Sequence, residues 1–143
     1  MKYWFYISTA RVSQGSGYDA LIYLQARNRN RKMGLTGYLH REGDHYAQYV
    51  EGPDQAIDTL RATIEKDTRH KKLRLLDEGQ NATRRFAGWD MAFTRDETHG
   101  FATFQSALGR EPDIRRASAA DILVFMERMA YTRRAMSVAT LAG

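Results

Sequence analysis

Two polar side chains lie within apolar strand sequences and could do chemistry there. Gln48 stands in residues 45–51, and Tyr6 stands in the aromatic run at 2–8. An amide has both a donor and an acceptor, so Gln48 can present two hydrogen-bond patterns to one partner, whereas the Tyr6 phenol carries one O–H on an apolar ring. In the plainer interpretation Tyr6 is a core residue with a satisfied hydroxyl, and a register shift of one residue would turn Gln48 to solvent.

The end of the first predicted helix is strongly basic. Four cations occupy its last turns: Arg27, Arg29, Arg31 and Lys32. Cations there offset the negative end of the helix dipole, and they could also reach a phosphate group of a ligand. A solvated helix face would show the same pattern. His40 and His45 flank the hairpin that follows, but no third metal ligand accompanies them, so we predict no metal site.

Positioning these residues requires a sheet with helices packed on it. Hydrophobic periodicity predicts strands at 2–8, 35–40, 45–51, 72–77 and 88–93, and helices at 17–33 and 53–67. The order βαββαββ, with two helices on one face of a five-stranded mixed sheet, is the ferredoxin-like α+β arrangement.

Local patterns predict which side chains face the core. Ser16 with Asp19 should cap the first helix, and an apolar stripe should bury it: Leu21, Ile22 and Leu24. In the fifth strand, alternation places three side chains on one side: Trp89, Met91 and Phe93.

The C-terminal part of the chain is predicted to be helical. Phe101, Phe104 and Leu108 indicate a short helix, and Ser118 should cap a longer one that carries Ile122, Phe125, Met126 and Met129. We therefore divide the chain into a sheet domain, residues 1–94, and a helical annex, residues 95–143, that covers the open sheet face or a partner. Apolar surface on the annex favours a homodimer or higher homo-oligomer.

Composition excludes several classes of protein. A chain of 143 residues with 43% hydrophobic positions fits one compact domain and a short annex. With no cysteine, the chain has no disulfide framework, no cysteine zinc site and no thiolate catalysis. No apolar run approaches the ~20 residues of a membrane span and no signal peptide is evident, so we expect a cytoplasmic protein without membrane segments. The net charge of +5 permits a phosphate-bearing ligand without requiring one.

Five short motifs occur in order along residues 2–94. They are Phe5-Tyr6-Ile7-Ser8, Arg29-Asn30 followed by Leu35-Thr36-Gly37, Gln48-Tyr49-Val50-Glu51-Gly52-Pro53, Arg69-His70, and Arg84-Arg85-Phe86-Ala87-Gly88-Trp89-Asp90-Met91. Together they resemble the BLUF domain, the blue-light sensor using flavin. Each motif alone is weak, but five in register are specific.

The resemblance implies a flavin bound between the two helices of the sheet domain. The side chains implied beside or near its ring are Tyr6, Arg29, Asn30, Gln48, Arg69 and His70. The cofactor implied is FAD, and the sequence leaves FMN and riboflavin open. Trp89 and Met91 would lie on the strand that reports the light signal. Because the annex is too short for an enzymatic output domain, the chain resembles the short, non-enzymatic form that acts through oligomerisation or a separate downstream protein.

A mechanism follows from this resemblance as a hypothesis. Blue light would move an electron and a proton from Tyr6 to the flavin, and their return would leave Gln48 in its other hydrogen-bond arrangement. The fifth strand would shift in response and the C-terminal helices would repack. The absence of cysteine agrees with this chemistry, because flavin sensors that form a covalent adduct need a thiol.

Two other functions compete with the sensor. Residues 11–18 resemble the phosphate-cradling loop of acylphosphatases, but Ser13 interrupts that motif, and the strand position of the family's water-positioning asparagine falls near Arg41. An RNA-binding module would use sheet aromatics to stack on bases, but its signature is missing and the annex would cover the sheet, so we do not expect nucleic-acid binding.

Overall fold

The fold is a five-stranded sheet covered by helices on both faces. The computed structural model describes residues 1–14, 17–96 and 100–142, with side chains through residue 133. The elements are β1 (Lys2–Ala10), α1 (Tyr18–Met33), β2 (Thr36–Glu42), β3 (His45–Gly52), α2 (Asp54–Glu65), β4 (His70–Gln80), β5 (Ala92–Arg95), α3 (Phe101–Ala107) and α4 (Ala119–Ala142). The strand order is β4-β1-β3-β2-β5, in which β5 runs parallel to β2 and the other neighbours are antiparallel. The predicted ferredoxin-like α+β architecture is confirmed.

Strand alternation sorts the core into two sides. On one face of β1, Trp4 and Tyr6 pack with the buried stripe of α2: Ile57, Leu60 and Ile64. On the other face, Phe5 and Ile7 pack with buried side chains of α4: Ile122, Phe125 and Met126. Residues two apart on a strand share a face, so β1 faces two different helical layers. The helices of the annex therefore cover the sheet face that α1 and α2 leave open.

The first helix differs from its prediction in which face is buried. It begins after Gly17, whose φ of 91° suits glycine; the predicted cap, Ser16, lies outside the described residues. Leu21 and Leu24 are about half exposed, whereas the buried side chains of α1 are Asp19, Ala26 and Asn30. The prediction that Leu21 and Leu24 are buried was therefore wrong, whereas Ile22, the third residue of the predicted stripe, is partly buried and packs against the cluster that contains Ala26. The fully buried positions of this helix are small or polar because they lie over the buried Arg41 and over the backbone that leads into β5.

The fourth and fifth strands differ most from their predicted limits. The fourth was predicted at 72–77 and extends from His70 to Gln80 as an edge strand with register shifts against β1. Such an edge strand carries many exposed polar residues, so hydrophobic periodicity does not show where the strand begins and ends. The fifth was predicted at 88–93 but spans Ala92–Arg95, because the chain before it turns, with the Trp89 amide donating to the Phe86 carbonyl.

The C-terminal helices begin as predicted. The Asp121 amide donates to Ser118 Oγ at 3.1 Å, which confirms the cap of α4. The short helix α3 buries Phe101, while Leu108 follows its last turn and is half exposed. No helix among the described residues has the length and apolar character that crossing a bilayer requires. The division of the chain at residue 94 stays a prediction.

Candidate functional site

Tyr6 and Gln48 lie directly opposite each other on adjacent strands. The antiparallel register of β1 and β3 pairs their Cα positions, and both side chains are buried on the face that carries α1 and α2. The Tyr6 phenol donates a hydrogen bond to Gln48 Oε1. Cross-strand neighbours of this kind have their Cβ atoms about 5 Å apart, so the sheet register alone brings the two groups into contact.

Burial fixes the protonation state of the phenol. Loss of solvent raises the pKa of Tyr6 far above its ordinary value, with the nearby Arg29 charge opposing the rise. Tyr6 therefore stays protonated at physiological pH and keeps the O–H that it donates to Gln48 Oε1. The Gln48 carbonyl is correspondingly the acceptor, which defines one of the two patterns that an amide can present.

These two groups form the floor of a narrow cleft between α1 and the end of α2. Apolar side chains form its walls: Ile22, Ala26, Leu39 and Ile64. Polar and charged side chains form its rim: Gln25, Arg29, Asp67, Arg69 and His70. An apolar slot with a few convergent polar groups is the usual form of a cofactor site.

Arg69 bridges the rim of the cleft. Its guanidinium holds both carboxylate oxygens of Asp67, at 2.9 and 2.7 Å, and its third nitrogen donates to Gln25 Oε1 on α1 at 2.7 Å. The hydrogen bonds from Arg69 hold the pKa of Asp67 below its usual value. The loop before β4 is thereby joined to α1 across the mouth of the cleft.

His70 is locked by two hydrogen bonds at the start of β4. Its Nε2 lies 2.8 Å from the Ile64 carbonyl, and its Nδ1 lies 2.8 Å from Ser8 Oγ. Because a carbonyl only accepts, Nε2 carries the proton, and in the neutral ring Nδ1 accepts from the Ser8 hydroxyl. The imidazole ring centre is 6.1 Å from that of Tyr6, so His70 packs against the cleft floor with both nitrogens engaged.

Asn30 does not line the cleft. It is fully buried one turn beyond Ala26, and its Nδ2 donates to the Asp90 carbonyl at 2.7 Å. The structure bonds the NH2 group of this amide to the backbone that leads into β5, and the place beside the flavin ring that the resemblance implied for Asn30 stays a prediction. Asn30 therefore connects α1 to the segment expected to report the signal.

Trp89 and Met91 lie on opposite sides of the sheet. Met91 packs with Ala26, Leu39 and Tyr46, all of which line the cleft. Trp89 packs with the core on the α4 side. The prediction that both share one side was wrong, because residues 86–91 turn and period-two alternation does not apply to them.

Sequence analysis missed a buried ion pair that joins α1 to the sheet next to the cleft. Arg41 Nη1 donates to Asp19 Oδ1 at 2.7 Å, and the Tyr46 hydroxyl donates to the same oxygen at 2.6 Å. Arg41 Nη2 donates to the Val12 carbonyl at 2.7 Å, and Arg41 is fully buried. The pair fixes the start of α1 on the sheet. A charged residue within an apolar strand was the signal that could have revealed it.

A second buried carboxylate shapes the turn before β5. Glu51 accepts from the backbone amides of Arg85 and Phe86 at 2.8 Å and from the Thr36 hydroxyl at 3.0 Å. These bonds set the path of the chain into Trp89. Sequence analysis used Glu51 only as part of a motif and gave it no such role.

Arg41 also bears on the acylphosphatase alternative. That reaction requires a group near this strand position to orient water, and the Arg41 guanidinium is instead committed to Asp19, Val12 and the Gly43 carbonyl. Two residues of the proposed phosphate loop, 15 and 16, lie outside the described residues. No observation here favours the enzyme.

Comparison with known proteins agrees with this geometry. The family model described as "Sensors of blue-light using FAD" matches residues 1–92. The chain belongs to the BLUF family. The BLUF protein BlrB, solved in its dark state, is 27% identical, with a TM-score of 0.75 and coverage of 92% of this chain and 96% of that one. BlsA in its photo-activated state has a TM-score of 0.77 at 21% identity, covers 90% of this chain and 94% of its own, and shows the shared fold.

Parts of two larger proteins are also similar to this chain. The photoactivated adenylate cyclase subunit beta of Euglena gracilis is 35% identical over 63 residues, which cover 44% of this chain and 7% of the relative. Klebsiella pneumoniae BlrP1, solved with manganese and cyclic diGMP, is 26% identical with a TM-score of 0.63, over 68% of this chain and 25% of that one. This BLUF chain thus spans a small fraction of both proteins.

The cleft fits the flavin that the family description implies. Arg29 Nε is buried and has no hydrogen-bond partner among the described residues. Burial lowers the pKa of Arg29, so a carbonyl or phosphate oxygen of a ligand would offset that desolvation. The apolar walls of the cleft suit the flat faces of a flavin ring. The Arg29 donor and the Tyr6–Gln48 pair suit the polar atoms at its edge.

Proposed function

We propose that this BLUF chain is a blue-light receptor that binds FAD between α1 and α2 and uses the Tyr6–Gln48 contact as its switch. The observation that carries the proposal is the hydrogen bond from the Tyr6 phenol to Gln48 Oε1 on the cleft floor. Ile22 and Ala26 would flank the ring from α1, and Ile64 from α2. Arg29 would supply a donor to an oxygen of the cofactor.

When bound, the flavin supplies light absorption and the capacity to accept an electron and a proton. Because burial raises the pKa of Tyr6, its phenol cannot lose a proton in the dark, and loss becomes favourable only when an electron leaves with it. The Tyr6 proton would leave along its hydrogen bond to Gln48 Oε1, and the Gln48 amide would pass a proton on to the flavin that holds the electron. After the charge returns, Gln48 can rotate or change tautomer and present its other hydrogen-bond pattern to the same partners.

We further propose that the rearrangement of Gln48 shifts the chain segment before β5, and that this shift alters the packing of α3 and α4. Asn30 contacts this chain segment from the cleft side, and Met91, within the segment, packs on side chains that line the cleft. One exchanged hydrogen bond is worth about 0.5–1.5 kcal/mol, which shifts a two-state equilibrium by roughly 2- to 13-fold. Such a shift suits a change in affinity for a separate protein partner, or in assembly of a homodimer or larger homo-oligomer.

Absorption spectroscopy of the purified protein tests the proposal. The protein should be yellow, and blue light should shift its flavin absorption reversibly to longer wavelength. Tyr6→Phe should keep the colour and lose the shift. Tyr46→Phe is a matched control, because that phenol also lines the cleft but donates to Asp19 instead of Gln48. A normal shift in Tyr6→Phe would refute the assigned donor, and a colourless preparation that hydrolyses acyl phosphates would favour the enzyme.

A further inference from the structure

The segment from Trp89 to Thr94 is held from two sides. On the cleft side, Asn30 donates to the Asp90 carbonyl and Met91 packs among residues that line the cleft. The opposite side faces α4. Any rearrangement on the cleft floor that moves this segment must therefore change its contacts with that helix.

Arg133 of α4 makes a directional contact with this segment. Its Nη1 donates to the Phe93 carbonyl at 2.8 Å, and its guanidinium carbon lies 5.3 Å from the centre of the Trp89 ring. The same charge acts on Tyr38: burial raises the pKa of that phenol to about 12, and Arg133 opposes the rise. One side chain thus contacts the backbone of β5, the indole before it and a phenol of β2.

The chemistry of these contacts distinguishes Arg133 from the apolar residues of α4 that pack on the sheet. Ile122, Phe125 and Met126 pack on the sheet through apolar contacts, whose attraction has no preferred direction. A planar guanidinium that donates to a carbonyl and stacks on an aromatic face holds one geometry, and lysine cannot reproduce both contacts. A small shift of the segment 89–94 would therefore either break one of the two Arg133 contacts or move α4 together with the segment.

We infer that Arg133 is the positioning residue that couples α4 to the segment 89–94, an inference that rests on the proposed light-sensing function. Arg133 lies outside the cleft, so it takes no part in cofactor binding. Its role is to convert movement of Trp89 and β5 into movement of the helix.

Hydrogen exchange of the full flavin-loaded chain, measured in darkness and under blue light, tests this inference. The wild type should show a light-dependent change in exchange over residues 119–133. Arg133→Met should keep the full absorption shift and lose most of that change, at least about threefold, while Arg133→Lys should restore part of it. Arg128→Met is the matched control, because Arg128 lies on the same helix and its guanidinium carbon is 5.9 Å from the ring centre of Phe104, in α3.

The outcomes separate the inference from the proposed function. Absence of any absorption shift in the wild type would refute the sensor. A normal shift with a full exchange change in Arg133→Met, or an equal loss in Arg128→Met, would overturn the role of Arg133. A second measurement needs no light: in the full flavin-loaded chain kept in darkness, a double-mutant cycle of Arg133→Met and Trp89→Leu should give coupling of roughly 2- to 30-fold in the unfolding equilibrium. No coupling would also overturn it.

Discussion

The buried pair of Arg41 and Asp19 gives the sharpest stability prediction. Both side chains are almost fully buried, and the Arg41 guanidinium also donates to Tyr46 and to the Val12 and Gly43 carbonyls. Arg41→Met keeps the approximate length of the side chain. It leaves the Asp19 carboxylate buried, with the Tyr46 hydroxyl as its remaining hydrogen-bond donor among the described residues. Removing one partner of a buried pair costs about 3–5 kcal/mol, a large part of the 5–15 kcal/mol that is typical of a domain.

The single variants at Arg41 and Asp19 should lower the free energy of unfolding by different amounts. Asp19→Asn keeps an acceptor oxygen of similar shape, and Arg41 keeps its carbonyl partners, so we expect a cost of about 1–3 kcal/mol. The double variant should be less destabilised than the sum of the singles by at least about 1 kcal/mol, because it removes both charges.

Urea unfolding followed by circular dichroism measures these free energies. Glu65→Gln is the control, since its exposed pair with Arg61 should contribute within about 0.5 kcal/mol. An Arg41→Met cost below about 1 kcal/mol, or strictly additive single variants, would contradict the assignment of a buried, coupled pair.

Three further predictions test other parts of the molecule. Burial opposes ionisation of Glu42, but hydrogen bonds from a buried histidine and from two amides at the start of α3 outweigh it and hold the pKa of this carboxyl low. Its stabilisation is therefore present above the unfolded pKa and lost as pH falls through the folded one, so unfolding measured from pH 5 to 3 should be less pH-dependent in Glu42→Gln than in wild type. Gly37→Ala would place Cβ 2.2 Å from the Tyr49 carbonyl oxygen and should cost about 3 kcal/mol or more in the free energy of unfolding, read from the thermal midpoint. Asp67→Ala frees Arg69 from its carboxylate and should speed flavin release several-fold in a dilution assay; unchanged release would show that the bridge does not close the cleft.

Sequence patterns predicted the centre of the fold because its signals are local. Alternation in β1 and β3 sorts Tyr6 and Gln48 to one face, and adjacent strands then bring them together. The turn before β5 was mispredicted for the opposite reason. Its apolar residues look strand-like, while its path is set by the Glu51 carboxylate, which lies over 30 residues away in the chain.

The candidate site was predictable only where family motifs marked it. Arg29, Arg69 and His70 line the cleft, as the resemblance implied. The partners that hold them depend on tertiary contacts: Gln25 meets Arg69 across 44 positions. Asn30 lies on the predicted helix, yet its backbone partner at Asp90 is set by the turn, which one sequence does not show.

The central claim is that the Gln48 amide is the element that light rearranges. The direct measurement is the light-minus-dark absorption difference of purified wild type and Gln48→Leu, because leucine has a similar volume and neither donor nor acceptor. We predict that Gln48→Leu retains bound flavin and shows no shift to longer wavelength under blue light. A wild-type shift in that variant would contradict the account.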